Sequence, residues 1–163
     1  MAGENTKIVR EQGGETERVK SGGQIVVEPG GHVEDQNGAL VHNKRQRFTI
    51  AQVNAGAELL PAIAGKSYRM VACAALAVGG AAAAVTTVDV LGTVTTARKL
   101  VAFAQASLTQ SAVLKDGATG ADVLADGASY TANDAGTAIT VGKTGADVTT
   151  ASNIDVSFSY TIE

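Results

Sequence analysis

The sequence predicts an all-β protein: an antiparallel β-sandwich of jelly-roll type carrying an extended N-terminal β-arm. Three observations predict it. From Ile154 to Ile162, the apolar residues Ile154, Val156, Phe158, Tyr160 and Ile162 alternate with Asp155, Ser157, Ser159 and Thr161. Such period-two alternation turns one face toward a core and the other toward water. β-branched and aromatic side chains suit that half-buried, pleated surface. Second, apolar runs bounded by turn dipeptides recur after residue 47 at a spacing of roughly 8–15 residues, with no clear helix, which is the rhythm of a sandwich. Third, charge is unevenly spread. Residues 1–47 hold seven Lys/Arg and seven Asp/Glu, whereas residues 48–163 hold six and nine. The first segment is also poor in large apolar residues, so alone it cannot bury enough surface to offset its ordering entropy. The reading is therefore an arm over 1–47 and a sandwich over 48–163.

Within the arm, glycine pairs at Gly13-Gly14, Gly22-Gly23 and Gly30-Gly31 separate short extended pieces: Glu17-Arg18-Val19, Gln24 to Val27, and His32-Val33-Glu34. Asn37-Gly38 is a further turn signal, leading to Ala39-Leu40-Val41. This rhythm fits a β-solenoid or intertwined β-arms, and equally a flexible polar arm. In every case the segment gains order by lying on, or winding with, another chain. Candidate contact residues with a partner or a second subunit are Arg10, Arg18, Lys20, Val26 and Val27. Lys44, Arg45 and Arg47 form a basic cluster at the junction. It reads either as a solvated linker or as a contact for an acidic surface.

The body begins with Phe48, Ile50 and Val53 as a first strand, closed by a turn at Asn54 to Ala57. Leu59-Leu60-Pro61 runs extended, with proline favouring a strand end. Tyr68 to Val78 is a nearly continuous apolar run, expected as a strand buried on both faces. Ala81 to Val94 reads as its return strand, the two forming a hairpin around Gly79-Gly80. The alanine runs are also compatible with helix, but the glycine pair and the Val/Thr density favour strand. Leu100 to Ala104 and Ser107 to Leu114 follow as strands. Lys115 to Asp126 is loop-like, and Ser129 to Thr131 a short strand. Thr137 to Val141, a turn at Gly142 to Gly145, Val148 to Thr150 and the terminal strand complete the order.

Chemistry is sparse. The net charge is −3, whereas nucleic-acid binders carry a basic patch or stripe. Cys73 is the one cysteine and so makes no internal disulfide; it reads as a small buried hydrophobe. His32 and His42 lack the spacing of a metal pair and read as exposed arm residues. There is no Gly-x-Ser-x-Gly elbow. Gly65-Lys66-Ser67 lacks the upstream glycine of a phosphate loop. Asp116, Asp122 and Asp126 read as turn caps rather than a calcium loop. Phe48, Tyr68, Phe103, Tyr130, Phe158 and Tyr160 are mostly assigned to core faces, leaving few aromatics for a sugar platform. The N-terminus has no apolar region of a signal peptide. Met70 to Val85 is shorter than the ~20 residues a membrane span needs. The chain is expected to be no enzyme and to need no cofactor or metal.

The run Phe48-Thr-Ile-Ala-Gln-Val-Asn-Ala-Gly-Ala-Glu-Leu-Leu-Pro-Ala-Ile-Ala-Gly-Lys, the Ala/Gly-rich stretch after it and the all-β finish resemble the capsid decoration, or cement, proteins of tailed bacteriophages. The resemblance spans roughly residues 48–163 and is one of style. It implies a homo-dimer or homo-trimer, made in the host cytoplasm and seated on the capsid exterior. There it would bridge major capsid subunits, without nucleic acid or membrane as partner. Phage fibre, spike or receptor-binding modules share the style and remain the alternative. Removing residues 1–45 is expected to leave a folded sandwich that attaches less well.

Overall fold

The computed structural model describes residues 8–10, 17–19, 34–35, 38–118, 121–123 and 131–163, with side chains over 40–118 and 131–163. The chain divides into two compact units, Met1–Gly31 and His32–Glu163. In the first, β1 (Ile8–Arg10) pairs antiparallel with β2 (Glu17–Val19), placing Arg10 opposite Glu17.

The second unit opens with a two-residue ladder, β3 (Glu34–Asp35) on β4 (Gly38–Ala39). The sandwich strands follow in chain order: β5 (His42–Thr49), β6 (Ala57–Leu60), β7 (Tyr68–Val78), β8 (Ala83–Val94), β9 (Thr96–Ala104), β10 (Leu114–Lys115), β11 (Ala121–Val123), β12 (Ile139–Thr149) and β13 (Asn153–Ile162). One sheet has the order β10-β7-β13-β5, the other β11-β9-β8-β12-β6. Every described pairing is antiparallel. With β11 set aside and the other eight strands counted in chain order, the sheets read 6-3-8-1 and 5-4-7-2. That is the double Greek-key wrapping of a jelly roll, with β11 as an added edge strand.

The two sheets share one core. Phe48, Phe103 and Phe158 are its largest fully buried side chains. Val88, Val90, Val101 and Val141 come from one sheet, and Cys73, Ala75, Ala77, Ile154 and Val156 from the other. The terminal alternation holds on its core face, with Ile154, Val156, Phe158 and Ile162 buried, while Asp155 on the opposite face is buried as well.

Several expectations are overturned, each for a local reason. Residues 50–53 are not strand: α1 (Ile50–Ala55) occupies them. Thr49 caps it in a capping box with Gln52, and Gly56 ends it with left-handed backbone at φ +79°. Thr-x-x-Gln before an apolar residue is that box in sequence form. β7 has the expected bounds but is buried on one face only, with Val71 half-exposed.

The Gly79-Gly80 pair makes no hairpin. It carries the chain from one sheet to the other, so β7 and β8 never pair. Gly80 sits at φ +151°, and a Cβ there would lie 2.9 Å from the Thr150 carbonyl oxygen. The true hairpin joins β8 to β9, turning at Thr95 with φ +65°. Residues 107–114 are not a strand; a 3-10 turn at Gln105–Ser107 precedes irregular chain up to β10. Nor do Gly142 and Gly145 end a strand. β12 runs through both, with register shifts next to Gly145. The expected strand at 129–131 lies largely outside the described residues.

Candidate functional site

Of the sheet edges, β10, β11 and β6 are two, three and four residues long, and β5 is eight. Short edges limit stray pairing, whereas a long one presents a row of backbone donors and acceptors. β5 is thus the candidate site, and its local chemistry follows from its pairing with β13.

The register sets Phe48 opposite Ile154, Gln46 opposite Val156 and Lys44 opposite Phe158. These residues share the core-side face. Asn43, Arg45 and Arg47 occupy the other face, opposite Ser159, Ser157 and Asp155. Arg47 donates to Asp155 through Nε at 2.6 Å and through Nη2 at 2.9 Å; Arg45 adds a third bond at 3.2 Å. The Asp155 side chain is 7% exposed, while those of Arg45 and Arg47 are 71% and 58% exposed. Two guanidinium planes therefore cover one carboxylate and still face water. The Arg47 hydrogen bonds hold the Asp155 carboxyl below the usual carboxylate range, against a smaller opposing push from burial.

At the start of β5, the His42 ring stacks on Tyr160, with centroids 5.4 Å apart. Tyr160 also meets Tyr68 edge-on at 5.4 Å and Phe158 at 5.9 Å. Burial raises the Tyr68 phenol to about 12, and its hydroxyl donates to the Pro61 carbonyl at 2.6 Å. His42 is therefore half-buried in the sheet rather than exposed on an arm. At the other end, the α1 capping box terminates the strand.

A second polar cluster lies on the outer face of the other sheet. Asp89, 1% exposed, accepts from the Thr144 hydroxyl at 2.7 Å and pairs with Lys99 Nζ at 3.3 Å. Its Oδ1 is the one buried side-chain oxygen among the described residues without a hydrogen bond. Cys73 is buried, as expected; desolvation first, and the Asp116 charge second, push its thiol up to about 12. A thiol so placed is a poor nucleophile. Asp116 is not a turn cap: its carboxylate accepts the N–H of Cys73, 43 residues away on β7, at 3.1 Å. Among the described residues no group of three His, Cys, Asp or Glu is placed to hold a metal ion. No described helix is long and apolar enough to cross a membrane.

Of the residues singled out by sequence, Lys44, Arg45 and Arg47 come together on β5, so the boundary at residue 47 cuts through a sandwich strand. That segment is not a linker: it pairs with β13 from His42 onward. Arg10 lies in β1 and Arg18 in β2. Lys20, Val26 and Val27, like His32 and the three glycine pairs, lie outside the described residues. Sequence reasoning missed Asp155, reading it as a solvated alternate. The available signal was Arg45-x-Arg47, whose two-residue spacing puts both guanidinium groups on one face of a strand. It also missed the Asp89, Lys99 and Thr144 cluster, which requires the register of three strands. Comparison with protein-family models, curated proteins and solved structures finds no match to the chain.

Proposed function

We propose that the protein is a structural component of a phage virion that binds the outer surface of an assembled capsid and stabilises it by bridging major capsid subunits. The observation that carries this reading is β5. A rigid jelly roll offers one long, cation-bearing edge, and a charge-dense segment precedes it in the chain. Such an arrangement supplies area and directional bonding without needing a reaction centre. A clamp that binds only the assembled lattice stabilises it by mass action. Repeated copies multiply the effect through avidity.

The test adds purified protein to undecorated shells and, separately, to unassembled capsid subunits. Saturable binding to shells, with a raised shell disruption temperature, supports the reading. Equal binding to free subunits, or no binding, overturns it. One observation favours a second reading, a fibre or receptor-binding module: the half-buried His42 and Tyr160 rings form an aromatic end to the sandwich. Immunolabelling that marks fibres instead of the shell would select it.

A further inference from the structure

We propose that the outer edge of β5, which pairs with no other strand among the described residues, is a strand-addition site for an extended acidic segment of a partner protein. This deepens the reading of the chain as a capsid binder and rests on it only for the partner's identity. The backbone directions come first. Ile50 N–H donates to the Ser152 carbonyl at 3.4 Å, continuing the β5–β13 register. Thr49 N–H instead turns to Gln52 Oε1 at 2.8 Å. In an antiparallel pair, residues that exchange hydrogen bonds alternate with residues that do not. The even residues His42, Lys44, Gln46 and Phe48 are therefore bonded to β13. Asn43, Arg45 and Arg47 point their N–H and C=O groups out of the sheet. These three residues offer the spacing of a ladder to an incoming strand.

The charge on that edge selects the occupant. Arg45 and Arg47 lie on one face two residues apart, and Lys44 lies exposed on the other. Against these three cations the paired strand supplies one carboxylate, Asp155. A second copy of β5 would set cations against cations, which is destabilising across a ladder. A strand carrying carboxylates at alternate positions would align them with Arg45 and Arg47, forming charge-assisted bonds beside the new backbone ladder. The same edge cations discourage unselective pairing, so the site discriminates as well as binds.

The experiment measures amide hydrogen exchange in the full chain with a synthetic octapeptide alternating Glu with Val, against a control with Lys for Glu. The Glu peptide is expected to slow exchange at Asn43, Arg45 and Arg47 by about tenfold or more, the factor that one backbone bond's worth of free energy gives. The Lys peptide is expected to leave them unchanged. Binding of the Glu peptide without slower edge exchange, or no binding at all, overturns the proposal.

Arg45→Pro removes an outward donor while sparing the β13 ladder, and Arg45→Ala removes the charge alone. Proline is expected to abolish peptide uptake and alanine to weaken it about threefold; equal loss in both would reduce the site to an ion contact and overturn strand addition. The wild-type exchange measurement decides the matter even if the proline variant does not fold. If the peptide adds to β5 but wild-type protein ignores shells, the strand site stands and the capsid reading falls. If shells bind Arg45→Pro as well as wild type, the capsid reading stands and β5 is not its contact, which overturns the proposal for that partner.

Discussion

Asp155 and Asp89 both sit within long strands, on the side of the sheet turned away from the core, and both are nearly inaccessible. They are compensated differently. Asp155 receives three hydrogen bonds from two arginines whose own groups reach water. Asp89 has one lysine and one threonine hydroxyl, and one of its oxygens is left without a partner. The first carboxylate retains most of its stabilisation through planar, bidentate donors, a geometry that arginine provides and lysine does not. The second carries a desolvation cost that a single ammonium offsets incompletely. The difference also divides the molecule by role. Asp155 holds two arginines on an edge strand while their side chains stay exposed to water. Asp89 ties together β8, β9 and β12 within a sheet.

The comparison breaks most severely if β5 is removed. Truncation of residues 1–45 takes away Arg45 and half of β5, uncovering Phe158 and Tyr160 on β13. We expect the melting temperature to fall by about 10 °C or more, contrary to the expectation drawn from sequence that this deletion leaves the sandwich intact. Truncation of residues 1–31, at the boundary between the units, should leave it unchanged by the same calorimetric scan.

A smaller break isolates Asp89. Lys99→Met strands a buried carboxylate and should cost about 2–3 kcal/mol, read from the urea midpoint. The double variant with Asp89→Leu should recover most of that loss, since an apolar replacement of the whole pair removes the desolvation cost. If the double variant is as unstable as Lys99→Met, the pair is stabilising as a unit and the contrast with Asp155 fails.

The smallest effect falls on Asp155. Asp155→Asn should cost about 1 kcal/mol, and less in high salt, because its arginines are exposed. Its carboxyl is lowered in the folded state, chiefly by the Arg47 hydrogen bonds. The contribution is therefore fully present above the unfolded carboxylate value of about 3.9 and is lost as pH falls through the lower folded value. Wild type and Asp155→Asn should differ near neutrality and converge in acid. A gap that persists to the lowest pH would point to packing instead of charge.

The sheet-forming pattern was legible where one face alone is buried. β13 follows from its period-two alternation, whereas β7 showed only its bounds, as a continuous apolar run ending at a glycine pair. Legibility failed where tertiary contacts outweigh local preference. Thr95 occupies a left-handed turn usually held by glycine or asparagine, helped by Asp134, whose carboxylate accepts its N–H from 39 residues away. Gly142 looks like a strand breaker, yet it lies under Leu91, whose Cδ1 would be 3.2 Å from an added Cβ. The six-residue helix α1 is too short to show a period, and only its capping box marks it. At the site, the basic cluster was visible as charge. Its counter-ion was not, because Asp155 lies 108 residues beyond Arg47.

That separation governs how the protein comes into being. β13 is the inner strand on which both β5 and β7 are laid, and translation reaches it long after both have left the ribosome. Until residues 153–162 emerge, Phe48 and the alanine face of β7 have no strand between them, and folding waits on a loop closure of about a hundred residues. Over that interval the apolar faces of β5 and β7 stay uncovered, and the cations on β5 disfavour premature pairing along its edge.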